Sequence, residues 1–144
     1  MYQTLLSAHS FIAYAALGLL VLASINAIAG LLSKKLFTSR DRSISLIALI
    51  VCHIQLLVGL ILYFVSEKGF KAFSIEGAMK NPELRLTMLE HPLINIIALV
   101  FITIGWSKHK KEESNNGKFK KIAVLYSIGL ILILSRLPWA SWLN

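Results

Sequence analysis

Four long apolar runs, residues 5–32, 44–65, 86–106 and 122–137, decide what this chain can fold into. Each is long enough, or nearly so, to cross a bilayer core, which takes about 20 helical residues. The last is the shortest, but Phe119 before it and Trp139 and Trp142 after it extend its apolar character. In lipid every backbone N–H and C=O must be paired within the protein, so only helices and closed barrels span it. Barrel strands alternate apolar and polar residues, and these runs do not. With 56% of 144 residues hydrophobic and a mean hydropathy of +0.70, the chain is too apolar for a soluble globule of this length. The expected fold is all-α: an integral membrane up-and-down four-helix bundle, one domain, with spans near 5–32, 44–65, 84–107 and 120–138.

Charge sets the expected orientation. Residues 33–43 carry Lys34, Lys35, Arg40 and Arg42 against Asp41, and residues 107–121 carry six lysines against Glu112 and Glu113. The link at 66–85 is balanced, with Lys68, Lys71, Lys80 and Arg85 facing Glu67, Glu76 and Glu83. By the positive-inside rule, links 33–43 and 107–121 are cytoplasmic and both termini lie outside, in a multi-pass membrane protein. The net charge of +8 is then largely topological. A soluble basic face for nucleic acid is lacking, whereas anionic lipid headgroups suit the basic links. The first run has no basic segment before it and no small-residue cleavage site, so it reads as a retained helix. Cys52 is the single cysteine, which excludes an internal disulfide. Residues 66–81, with Phe70, Phe73, Ile75 and Met79, have the amphipathic character of a short surface helix.

Glu90, His91 and Pro92 stand side by side at the head of the third run. From Pro92 to Trp106 the run is too short to span, so the helix is expected to begin near Asn81-Pro82, with Asn81 as cap and Pro82 in the first turn. Pro92 then lies within the helix, frees the carbonyl of Met88 and kinks the axis. An ionisable pair at that depth marks a functional site. Asn95 lies one turn below His91 and is placed to orient it or a bound group, with Ala98 and Gly105 leaving space beneath. Glu90 reads as a hydrogen-bonding support for His91, a proton-transfer group or an exposed interfacial charge.

Three further positions carry chemistry. His9 heads a face of Ala13, Ala16, Leu20, Ala23, Ala27 and Gly30, which suits either close helix contact or room for a flat cofactor. His53 sits near mid-membrane on an apolar face, where an imidazole requires a metal or a cross-helix hydrogen bond. A neighbouring face of Ser45, Ala48, Cys52, Gln55 and Gly59 suits close packing, with Gln55 bonding across. Arg136, level with Glu90 and His91, either snorkels to headgroups or pairs with Glu90 or an anionic cofactor group. His109 is expected to be solvated among lysines, and Trp106, Trp139 and Trp142 to be interface anchors.

Histidines on different spans of a membrane bundle fit a b-type haem, whose iron takes two imidazoles while a basic side chain meets the propionates. His91 is one ligand in every version. His9 matches it in depth and lies diagonally across the bundle; His53 is deeper but has the greater need of a partner. AHS at the head of the first run, HIQLLVGLILYF in the second, EHP opening the third and PW closing the fourth together resemble small four-span bacterial membrane proteins catalogued as cytochrome b proteins. More loosely, they resemble the haem-bearing anchor bundles of respiratory enzymes. The resemblance implies haem carried by His53 and His91, with His9 as a further candidate, and electron exchange with a quinone pool or a membrane-enzyme partner. An electron-transfer component is thus favoured over a stand-alone enzyme. Two other classes fit the residues: an accessory subunit docking a larger membrane complex or a second copy, and a non-haem metal site or small transporter using Glu90, His91, His9 and His53. No nucleophile elbow, phosphate loop or HExxH signature supports hydrolysis.

Overall fold

The computed structural model describes residues 1–142, and among these the chain is helical with no strand. Helix α1 runs Tyr2–Ser33, α2 Ser39–Val65, α3 Pro82–Arg85, α4 His91–Lys111, α5 Asn115–Ser135 and α6 Trp139–Trp142. A π-helical turn, Leu86–Glu90, joins α3 to α4 without a break, so one helical segment extends from Pro82 to Lys111. Three segments are long and apolar enough to cross a membrane: Tyr2–Ser33, Ser39–Ser74 and Pro82–Lys111. Helix α5 is the exception, because its first turns spend their length on Lys118, Lys120 and Lys121.

Helix α1 packs along α2 and α5, and α4 packs along α5 and, less closely, α2. Helices α1 and α4 therefore occupy opposite corners. The core follows the small-residue faces: Ala16, Leu20, Ala23 and Ala27 of α1 meet Ala48 and Cys52 of α2, Leu99 and Ile102 of α4, and Ile122 and Tyr126 of α5. Close approach of α4 and α5 depends on Gly129, where a Cβ would lie 2.5 Å from Ile102 Cγ1. The buried Tyr126 hydroxyl donates to the carbonyl of Ser45 at 2.8 Å, tying α5 to α2 across that core.

Local chemistry sets the ends of the elements. The Asn81 side chain accepts from the N–H groups of Glu83 and Leu84, with Pro82 in the first turn, as the sequence predicts. The Met88 carbonyl, deprived of a donor by Pro92, instead accepts from the Tyr63 hydroxyl at 2.8 Å. Helix α5 stops at Ser135, three residues short of the expected span end. Pro138 has no N–H for the Leu134 carbonyl, and the indole N–H of Trp139 supplies one at 3.1 Å.

Several expectations need correction. Residues 66–81 form two 3₁₀ turns, Phe70–Ser74 and Ala78–Lys80, instead of one surface helix. Their alanines Ala72 and Ala78 bury on Met88, while Phe70, Phe73, Ile75 and Met79 stay exposed. Trp106 is buried in the core and is no interface anchor. Trp142 does more than anchor: its indole N–H donates to Ser10 Oγ at 2.7 Å and its ring packs on Tyr14. His109, expected in solvent, is 1% exposed, wedged between the rings of Trp106 and Phe37.

Candidate functional site: a histidine pair facing a cavity

A cavity of about 220 Å³ opens among α1, α2 and α4 at the end of the bundle that carries both termini. His9, Gln55, Gly59, Tyr63, His91 and Asn95 line it, with Ala13 and Ala16 beneath. The imidazoles of His9 and His91 face one another with ring centres 6.3 Å apart and planes at 86°. They come from helices at opposite corners, and the cavity exists because α2 and α4 meet less closely than the other neighbours.

Each imidazole is held differently. His91 Nδ1–H donates to the backbone carbonyl of Arg136 at 2.9 Å, since that oxygen can only accept. Nε2 consequently carries the lone pair. Asn95 Nδ2 donates to the His91 carbonyl at 2.6 Å and lies 3.4 Å from Nε2, the ring nitrogen able to accept, bracing the ring from one turn below. His9 is placed by its backbone, whose carbonyl accepts from Gln55 Nε2 at 2.9 Å. Its ring lies against Gly59: a Cβ there would sit 3.0 Å from His9 Cε1, so the glycine makes the room that the imidazole fills.

Two buried polar atoms in this cavity, His9 Nδ1 and Gln55 Oε1, have no hydrogen-bond partner. Such groups cost about 1–3 kcal/mol each when left unsatisfied, so both favour a polar or coordinating partner.

No family model, curated protein or solved structure matches the chain. The case for the site rests on its residues.

The structure brings together His9, His91 and Asn95, and sets Glu90 and Arg136 just outside them. Glu90 accepts from Arg85 Nε at 2.9 Å and lies 3.7 Å from Arg136 Nε. The bridge fixes the chain end that offers its carbonyl to His91. His53 is not brought to the pair. It sits on the exposed side of the α2–α4 seam, where Nδ1–H donates to the Leu49 carbonyl at 2.8 Å and Nε2 stands 3.4 Å from Thr103 Oγ1. Its polar needs are met largely within its own helix. Among the described residues no three His, Cys, Asp or Glu side chains are grouped to hold a metal ion.

Sequence reasoning did not single out Tyr63 and gave Gly59 only a packing role, while the expected cross-helix bond of Gln55 is the one to the His9 carbonyl. A signal for Tyr63 was present: a carbonyl stripped of its donor by Pro92 needs a hydroxyl nearby, and Tyr63 lies at the same end of the preceding helix.

Proposed function

We propose that this protein is a membrane b-type haem carrier in which His9 and His91 would hold the haem iron, exchanging electrons with a quinone pool or a membrane-enzyme partner. The observation that carries the reading is their ring separation of 6.3 Å. Iron held between two imidazole nitrogens at about 2 Å each sets the ring centres about 6 Å apart. The Nδ1–H of His91 bonded to a backbone carbonyl is the usual support of a metal-bound imidazole, fixing its tautomer and raising its basicity. The partnerless Nδ1 of His9 and the small residues beside it fit the same occupant.

Bound haem would supply one-electron redox chemistry; the chain's part is to hold and insulate it. His9 and His91 bind, Asn95 and the Arg136 carbonyl orient His91, and the apolar walls from Ala16, Leu20 and Leu99 exclude water. The cavity is smaller than the about 300–1,000 Å³ of ordinary ligand pockets. To hold a porphyrin the outer ends of the helices would have to spread, and α2 and α4, which meet less closely than the other neighbours, would be disturbed least. Arg136, half exposed and 3.7 Å from Glu90, would be the cation nearest at hand for a propionate.

The same reading makes the protein a four-span bundle of a bacterial inner membrane, with α5 as the fourth span, both termini outside and links 33–43 and 107–121 cytoplasmic. The lysine-rich ends of α4 and α5 support that orientation. Haem titration of the detergent-purified protein tests the proposal. Stoichiometric uptake with a sharp reduced α band is expected, lost in His9→Ala and in His91→Ala and kept in His53→Ala. Uptake that survives both of the first two variants would refute it.

A further inference from the structure

We infer that the lysine-rich end of the bundle binds the phosphate of an anionic phospholipid headgroup, in a groove between the start of α2 and the end of α4. This site is independent of the haem reading and lies at the opposite end of the molecule. The groove, about 320 Å³, is lined by Thr38, Ser39, Arg42, Lys110 and Lys118 together with the ring of His109. Its cations are gathered by the fold. The Arg42 guanidinium lies 5.2 Å from the Trp106 ring centre and the Lys110 ammonium 5.8 Å from the same ring. Lys118 Nζ donates to the His109 carbonyl at 3.2 Å, which brings a third positive charge to the same wall.

No acid answers them. Among the described residues no carboxylate lines the groove, and neither Arg42 nor Lys110 takes part in an ion pair. The nearest candidate, Asp41, is buried and spends its oxygens on Asn26, Lys35 and Thr38. Glu112 faces Lys121 at 3.8 Å. Three like charges converging on one concave wall repel one another unless an anion sits among them, and the positive end of the long helix α2 favours the same sign.

An anionic phosphate group meets this demand, from either a lipid or free phosphate. The surroundings favour the lipid. Leu36, 70% exposed, directly precedes Phe37 of the groove's lining, and α1, α2 and α4 are long and apolar enough to set it at a membrane surface. Basic pockets between membrane helices take headgroups in this way.

The test uses the full chain in detergent, titrated with phosphatidylglycerol, phosphatidylcholine or inorganic phosphate and read by native mass spectrometry. One phosphatidylglycerol is expected to be retained in preference to phosphatidylcholine, and inorganic phosphate is expected not to displace it. Each cation removed should weaken binding about fivefold, so Lys110→Gln loses about fivefold and Arg42→Gln/Lys110→Gln about 25-fold. Arg42→Lys, which keeps the charge, and Lys120→Gln, outside the groove, should bind as the parent does. Should the double variant fail to fold, Lys110→Gln alone decides. Equal retention of the two lipids, undiminished binding by Lys110→Gln, or displacement by inorganic phosphate would overturn the assignment.

Discussion

His91 Nδ1–H and the carbonyl of Arg136 meet at 2.9 Å, joining the head of α4 to the chain just past the end of α5. That carbonyl is available because Arg136 has left the helix, with φ −132° and ψ 29°, ahead of Pro138. Leu-Pro in the sequence thus ends a helix and, by doing so, creates the acceptor that fixes the tautomer of His91.

Asn95 braces the same ring from below. Supporting partners of a metal-bound imidazole are typically worth about 10–100-fold in affinity. Asn95→Ala should therefore weaken haem affinity by at least about tenfold while leaving the helical circular dichroism unchanged, as a haem titration of the folded variant would measure.

Gly59 keeps the space against which His9 lies. A valine there puts its Cβ 3.0 Å from His9 Cε1 and its methyls deeper still, forcing the imidazole aside. Overpacking of this kind costs about 1–3 kcal/mol. Gly59→Val should fold with a modestly lowered unfolding midpoint yet lose haem binding, whereas Gly18→Val, at a glycine with open space around it, should change neither.

Tyr63 and Pro92 form a compensating pair. Tyr63→Phe strands the Met88 carbonyl beside a residue that is 1% exposed, at a cost of about 1–3 kcal/mol. Pro92→Ala restores a backbone N–H one turn along, so the double variant should be less destabilised than the two single costs added together. A double-mutant cycle on thermal or denaturant unfolding measures that coupling.

Asp41 is the opposite kind of carboxylate from those on the surface. It caps α2, bonding the N–H and hydroxyl of Thr38, and also pairs with Asn26 and Lys35 while 1% exposed. Asp41→Ala removes the cap and leaves Asn26 without its partner, so about 2–4 kcal/mol of destabilisation is expected. Glu67→Ala, which removes only an exposed pair with Lys71, should give no measurable change in the same unfolding assay.

Helical periodicity and capping made much of this legible from sequence. Asn81-Pro82 marked the true start of the third long helical segment, and the small-residue faces of α1 and α2 are the ones that pack. The placement of His9 and His91 at one depth and at opposite corners followed from counting residues along the spans. His53 was harder to place, because an imidazole in an apolar run asks for a partner without saying that the carbonyl of Leu49, one turn back, will serve. His109 was expected in solvent and Asp41 was read only as a link charge, since both lie among charged link residues. Their burial comes from tertiary partners, Phe37 and Trp106 for one and Asn26 for the other, which no local pattern reveals.

Electron paramagnetic resonance of the oxidised, haem-loaded protein probes the His9–His91 pair most directly. Imidazole planes at 86° should give a low-spin signal of strong anisotropy, and His9→Ala should abolish it while His53→Ala leaves it in place. A high-spin signal in the parent protein, or a low-spin signal that survives His9→Ala and disappears in His53→Ala, would contradict the pairing.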